Sequence, residues 1–151
     1  MKRKLKRKLW KRFSLPQLED WKTAARDWAP QIKPGDWIAL EGEMGVGKTL
    51  AVRETLRALG YQEPVPSPTY PLMLVHEWIG NAHDQKRVFH IDAYRLQGEE
   101  PWDHREWGDA VVFVEWRERT RLPEERFTAV WKIQRTGNSN ERTLEMWTQA
   151  R

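Results

Sequence analysis

WIALEGEMGVGKTL, residues 37–50, sets a run of four apolar residues against a turn that holds three glycines, a lysine and a threonine. Apolar residues without alternation read as a parallel strand buried on both faces. KTLAVRETLRALG (48–60) then places Leu50, Leu56 and Leu59 at helical spacing and ends on Gly60, a helix stop. Strand, glycine turn and helix in this order, with Gly42-x-x-x-x-Gly47-Lys48-Thr49 inside it, satisfy the phosphate-loop pattern. Glycines let successive backbone N–H groups turn inward toward phosphate oxygens, and the helix start adds partial positive charge. Glu43, Met44, Gly45, Val46, Gly47, Lys48, Thr49 and Leu50 are therefore the expected nucleotide-binding residues. Lys48 reaches the β- and γ-phosphates as a point charge, and the Thr49 hydroxyl is placed to ligate Mg²⁺. A Rossmann loop is not supported, because G-x-G-x-x-G does not occur.

Working outward, SLPQLEDWKTAARDWAPQI (14–32) reads as an amphipathic helix with Leu18, Trp21, Ala25 and Trp28 on one face and Pro30 at its end. EPVPSPTYP (63–71) carries four prolines and must be an ordered turn or extended loop. YPLMLVHEW (70–78) and RVFHIDAYRL (87–96) form an expected hairpin, AVVFVEW (110–116) a buried strand, and FTAVWKIQ with RTLEMWTQ a closing hairpin across TGNSNE. GEEPWDHREWGD (98–109) reads as a short helix or loop. The fold class is α/β: a phosphate-loop-type mixed sheet flanked by helices, ending in a β-hairpin.

A phosphate loop needs acids to complete its metal site, and open sheets place ligands beyond the C-terminal ends of their strands. Asp92 ends VFHID and Glu115 ends VVFVE. Lys48, Asp92, Glu115 and Thr69 are the candidate catalytic residues, with Thr69 as a γ-phosphate sensor in the proline-fixed SPT. Thr49 and Glu115 are the candidate metal ligands; Asp92 would hold the metal through water or orient the attacking water, and the two acids' roles are exchangeable. Arg53 and Arg95 are candidates for a cation at the transferred phosphate. The histidines at 76, 83, 90 and 104 show no ligand spacing and read as structural.

The chain has 151 residues, no cysteine and 39% hydrophobic residues, enough for one modest core. No apolar run is long enough to span a bilayer and no signal-peptide core opens the chain, so a soluble, cytoplasmic protein without membrane contact is expected. The formal charge of +4 is misleading, because eight of the 26 basic residues fall in MKRKLKRKLWKRF, leaving 18 basic against 22 acidic residues in the rest. Residues 1–13 read as a basic tail, solvated or weakly helical through Leu5, Leu9 and Phe13, ahead of a single domain at 14–151. Attraction of this tail to RNA phosphates or to another anionic surface is the sharper reading. The ten tryptophans share no period and read as packing residues.

GDWIALEGEMGVGKT, SPTY, HIDAYRL and VEW, in this order and at these separations, resemble the tRNA threonylcarbamoyladenosine biosynthesis ATPase family, TsaE, from about residue 15 to the final hairpin. The resemblance implies an ATPase using ATP and Mg²⁺ that assembles with TsaD-like and TsaB-like proteins and supports modification of the adenosine next to the anticodon. It implies that Lys48 and Thr49 serve phosphate and metal, that Thr69 is switch-like, that Asp92 and Glu115 are the essential acids, and that Trp116 is the aromatic following the second acid. The chain departs from the family pattern in a shortened segment between YRL and EW, in Arg117 where proline is usual, and in the basic tail. Two rivals share the phosphate loop: a small kinase, which needs an acceptor pocket and lid, and a non-catalytic nucleotide-dependent module that binds RNA or protein. A GTPase is disfavoured by the lack of an NKxD-type motif.

Overall fold

The computed structural model describes residues 6–68, 72–137 and 140–149. Seven strands form one sheet in the order β1-β7-β6-β2-β5-β4-β3: β1 (Arg7–Leu15), β2 (Trp37–Glu41), β3 (Met73–Ile79), β4 (Gln85–Asp92), β5 (Val111–Glu115), β6 (Ala129–Arg135) and β7 (Arg142–Gln149). The central strands β6, β2, β5 and β4 run parallel, while β1, β7 and β3 are antiparallel additions at the two sides. The mixed sheet and both expected hairpins are present, with strand ends moved by a few residues. Among the described residues no helix is long and apolar enough to cross a membrane.

Both α-helices, α1 (Leu18–Trp28) and α2 (Lys48–Ala58), lie on the same face of the sheet. There Trp21, Ala25 and Trp28 meet Ala51, Val52 and Leu56 over Ile38, Phe113 and Trp131. Trp28 also donates from Nε1 to Thr55 Oγ1 at 2.7 Å, so the polar atom of a buried indole is satisfied where the helices touch. Leu18, expected on the inner stripe, is instead exposed. It is the first residue of α1, before the helix has turned onto the sheet, and the buried stripe begins at Trp21. Asp20 closes the helix start by accepting from Gln17 N at 2.9 Å. The opposite face of the sheet carries no α-helix among the described residues. Irregular chain covers it, with Trp107, Leu122 and Phe127 packed on Trp37, Ile91 and Val114. Segment 98–109 is part of that cover and holds only a 3₁₀ turn, His104–Glu106.

The reading of residues 1–13 as a frayed or weakly helical tail is overturned from Arg7 on. Arg7–Leu15 is an edge strand paired antiparallel with β7, from Arg7 opposite Gln149 to Leu15 opposite Arg142. Leu9 and Phe13 suit a helix by spacing, but Phe13 and Leu15 also alternate. The unpaired backbone of β7 offers hydrogen bonds that an isolated short helix cannot match. The charges do not oppose this, because an edge strand projects them into water and Lys and Arg are the residues that keep such edges soluble.

Gly60 stops α2 at φ +98° with the nearest atom to an added Cβ, Trp78 Nε1, at 4.0 Å. Space is available but the backbone is left-handed, so Gly60→Ala should cost about 1–2 kcal/mol of stability, measured by urea unfolding. An unchanged midpoint would show that the turn relaxes.

Candidate functional site

β2 ends at Glu41 in the middle of the sheet, and the chain must turn at once to enter α2. Gly42 makes the close approach. A Cβ there would lie 2.6 Å from the Ile133 carbonyl oxygen and 2.7 Å from Val46 Cγ1, with φ at +154°. Gly47 caps α2 at φ +122°, and Trp21 of α1 packs beneath it so closely that a Cβ would meet the indole at 2.9 Å. Arg142 Nε of β7 donates to the Val46 carbonyl at 3.0 Å and holds the loop from the other side. The loop is thus held by a helix and by a strand that are far apart in sequence.

Lys48 starts α2 and is buried, with Nζ donating to the Gly42 carbonyl at 2.7 Å inside the loop. Its ammonium also stands 4.5 Å from the Trp116 ring centroid, a cation–π distance. Burial lowers its pKa below the ordinary lysine value, opposed by the nearby carboxylates of Glu115, Asp92 and Glu118.

Asp92 and Glu115 are direct neighbours in the parallel β4–β5 register, so both leave the same end of the sheet on the same side. That side is the one that carries the phosphate loop. Asp92 Oδ1 accepts from Tyr94 N at 3.0 Å. Glu115 Oε2 lies 2.7 Å from Nε2 of a fully buried His90. The pair sits within the sheet beside the core, and His90 Nδ1 has no partner among the described residues. His90 was read as structural from sequence. The signal was present, however, because His90 and Asp92 are two residues apart on a strand and therefore share a face.

Lys48, Thr49, Asp92, Glu115 and Trp116 line one cavity of about 430 Å³. From the expected loop, Met44, Gly45, Gly47 and Leu50 line it too, whereas Glu43 is exposed and Val46 is buried beneath the turn. Ser67, Tyr94 and Arg95 also face it, and sequence reasoning named only Arg95 of these. Arg53 does not belong: it pairs with Glu54 at 3.5 Å in a separate groove between the helices. Thr69 lies outside the described residues. Its neighbours are tied to the site, since Leu72 N donates to Pro68 O at 3.0 Å and Leu72 O accepts from Asp92 N at 2.8 Å.

Trp116 follows Glu115 in left-handed backbone, φ +60°. This is uncommon for a bulky residue and stores strain at a place where the surroundings over-determine it. The ring packs 5.1 Å from Tyr94, and Arg119 lies 5.6 Å above it while donating to Tyr94 O at 2.7 Å.

A sequence model of the family described as threonylcarbamoyl adenosine biosynthesis protein TsaE matches residues 15–144. The chain belongs to this family. The tRNA threonylcarbamoyladenosine biosynthesis protein TsaE of Aquifex aeolicus is 34% identical over 116 residues, 75% of this chain and 81% of that protein. Its namesake from Bacillus subtilis is 32% identical over 125 residues, 80% and 75%. The Streptomyces coelicolor protein of the same name is 38% identical over 97 residues, 60% of this chain, which spans 62% of that relative's length. The crystal structure of Bacillus subtilis YdiB superposes with a TM-score of 0.70 at 25% identity, covering 99% of this chain and 90% of that one. The motifs that carried the TsaE resemblance converge in space: the loop, HIDAYRL and VEW all reach the one cavity.

Burial, helped by the charge of Glu115, pushes the Asp92 carboxyl up from its ordinary value, against the opposing pull of the Tyr94 N–H and of the nearby His90 and Lys48. A carboxyl raised on folding contributes stability below its unfolded pKa and loses it as pH rises through the folded value, so at neutral pH its charge is a cost. In the TsaE-family protein free of nucleotide, Asp92→Asn should therefore raise Tm at about pH 7. The advantage should shrink as pH falls into the carboxyl range. Thermal melts across that range check this, and a lower Tm at neutral pH contradicts it.

Proposed function

We propose that this protein binds Mg·ATP in the 430 Å³ cavity and hydrolyses it slowly, in the cytoplasm, supporting the tRNA N6-threonylcarbamoyladenosine modification alongside TsaD-like and TsaB-like partners. The observation that carries this reading is the meeting of Lys48, the phosphate loop and two strand-end carboxylates in one place. The names of the relatives supply the process, since each is a tRNA threonylcarbamoyladenosine biosynthesis protein.

Thr49, Asp92 and Glu115 offer oxygen donors only, which suits a hard cation that arrives with phosphate rather than one held in a protein cage. Among the described residues no cluster of three His, Cys, Asp or Glu side chains forms such a cage. Bound there, Mg²⁺ would neutralise phosphate charge. The loop amides and Lys48 hold the β- and γ-phosphates, and one carboxylate orients the water whose oxygen attacks the γ-phosphorus as the bond to the β-phosphate oxygen breaks. ADP and inorganic phosphate leave, and the water proton passes to that carboxylate or to phosphate. Asp92 and Glu115 divide metal support and water orientation between them. His90 locks Glu115 by one oxygen, so that the other is left for the cavity.

Arg95 is the cation lining the cavity besides Lys48, and slow turnover alone with a rise on partner binding is expected when a further cation comes from outside. The test is a titration of the purified protein with a fluorescent ATP analogue and magnesium, then phosphate release with and without TsaB and TsaD homologues. Saturable, magnesium-dependent binding and partner-stimulated release are expected. No saturable binding overturns the reading, and phosphate transfer to a small metabolite rather than to water replaces it with a kinase.

A further inference from the structure

A cavity of about 500 Å³ shares no lining residue with the nucleotide site. It opens near the other end of the central strands, where β2 and β6 begin, between β1, β7 and β6 and the C-terminal end of α1. Buried Trp28 and Trp131 form its inner wall and Trp10 of β1 its outer one. Trp10 is 38% exposed, and it is the one exposed residue among the ten tryptophans. The register of β1 on β7 slips between Leu9 and Lys11, so Trp10 is an extra residue in the ladder. The bulge turns Trp10 and Lys11 to the same side, above Phe13 and Trp28, whose rings stack edge-on at 5.3 Å.

The charges around the groove are not balanced. Lys11 is paired with Asp27 at 2.9 Å and Arg12 with Glu145. Lys8 and Lys33 line the groove without an ion pair to any described residue, and Lys6 is exposed just ahead. Asp36 is the acid in the wall, and its carboxylate already accepts from Lys33 N at 2.8 Å. Lys2, Arg3 and Lys4 precede the strand in sequence. An indole face beside unpaired ammonium groups, over a cavity with the free amide of Gln31 and the hydroxyl of Thr128 in its wall, is the chemistry of base stacking with phosphate contact. An acidic peptide would use the lysines but leave the indole and the cavity unfilled.

We propose that this groove binds single-stranded RNA, with one base stacked on Trp10 inside the cavity and the flanking phosphates on Lys8 and Lys33. The choice of RNA among single strands rests on the proposed role in tRNA modification; the groove itself is independent of the nucleotide site.

The test is fluorescence anisotropy of a labelled, mixed-sequence single-stranded RNA of about ten nucleotides, titrated with the full chain at low and physiological salt. Two phosphate contacts, at Lys8 and Lys33, predict a log–log salt slope of about −1.4. Trp10→Ala should weaken binding about five- to a hundredfold with the salt slope kept. Trp10→Tyr should restore most of it, and Lys8→Glu with Lys33→Glu should flatten the slope. Duplex RNA should bind at least about tenfold more weakly, since its bases are already stacked. Lys48→Ala protein should bind RNA like the parent, which separates this inference from the ATP reading. No saturable RNA binding, equal affinity for duplex, or Trp10→Ala binding at parental strength each overturns the proposal. So does loss of TsaB or TsaD homologue capture in the Trp10 and lysine variants without any RNA binding, which would make the face a protein contact.

Discussion

Lys48→Ala will lower the affinity for Mg·ATP by at least about a hundredfold, because the ammonium is the one formal charge at the start of α2 that faces the cavity and its hydrogen bonds to phosphate are charge-assisted. In the structure its Nζ sits 2.7 Å from the Gly42 carbonyl, at the centre of the turn. Removing it also strips the side-chain stem from the Trp116 ring, 4.5 Å from the ammonium, so a loss of binding could be confused with local collapse. Lys48→Met keeps most of that stem and removes only the charge. Both variants should lose binding in the nucleotide titration while their circular dichroism stays native. Parental affinity in either removes the phosphate-loop assignment.

Glu115→Gln should separate binding from turnover. Glutamine keeps the shape, and its amide can still meet His90 Nε2 across the 2.7 Å contact, so the strand end stays in place. What is lost is the negative charge beside Asp92, one of the two groups able to orient water or support the metal. Phosphate release with the partner proteins present should fall by about a hundredfold or more, and nucleotide affinity should change by less than about tenfold. A variant that releases phosphate at the parental rate would take Glu115 out of the reacting set and leave the task to Asp92. Loss of affinity with an unchanged rate at saturation would make Glu115 a binding group alone.

Much of the site was legible because its pieces are local. A phosphate loop is one strand, one turn and one helix in sequence, and glycines at 42, 45 and 47 permit the positive φ that the turn adopts at each of them. Asp92 and Glu115 were legible for a related reason, each closing an apolar run whose period already placed it at a strand end. His90 shows in the sequence only that it shares a face with Asp92; its contact to Glu115 is diagonal to the next strand, and spacing along one strand does not reveal that partner. Trp21 and Arg142, which hold the loop from below and from the side, were read only as a core residue and a strand residue. Their role depends on how α1 and β7 pack against a turn many residues away. Arg53, weighed beside Arg95 as the cation at the transferred phosphate, lies instead against Glu54 in the groove between the helices, because five residues of helix beyond Lys48 turn it away from the cavity.

The chain by itself determined the alternation of elements, the phosphate loop and the two carboxylates, because these follow from the order of apolar, glycine and charged residues over short distances. Tertiary structure alone decided that both helices share one face and that basic residues 7–15 become a strand. It also decided that Trp10 is exposed over a groove while the other tryptophans are covered. The physical reason is that an edge strand forms only where another strand presents unpaired backbone. In this chain that partner, β7, lies at the opposite end of the sequence, beyond the reach of any local pattern.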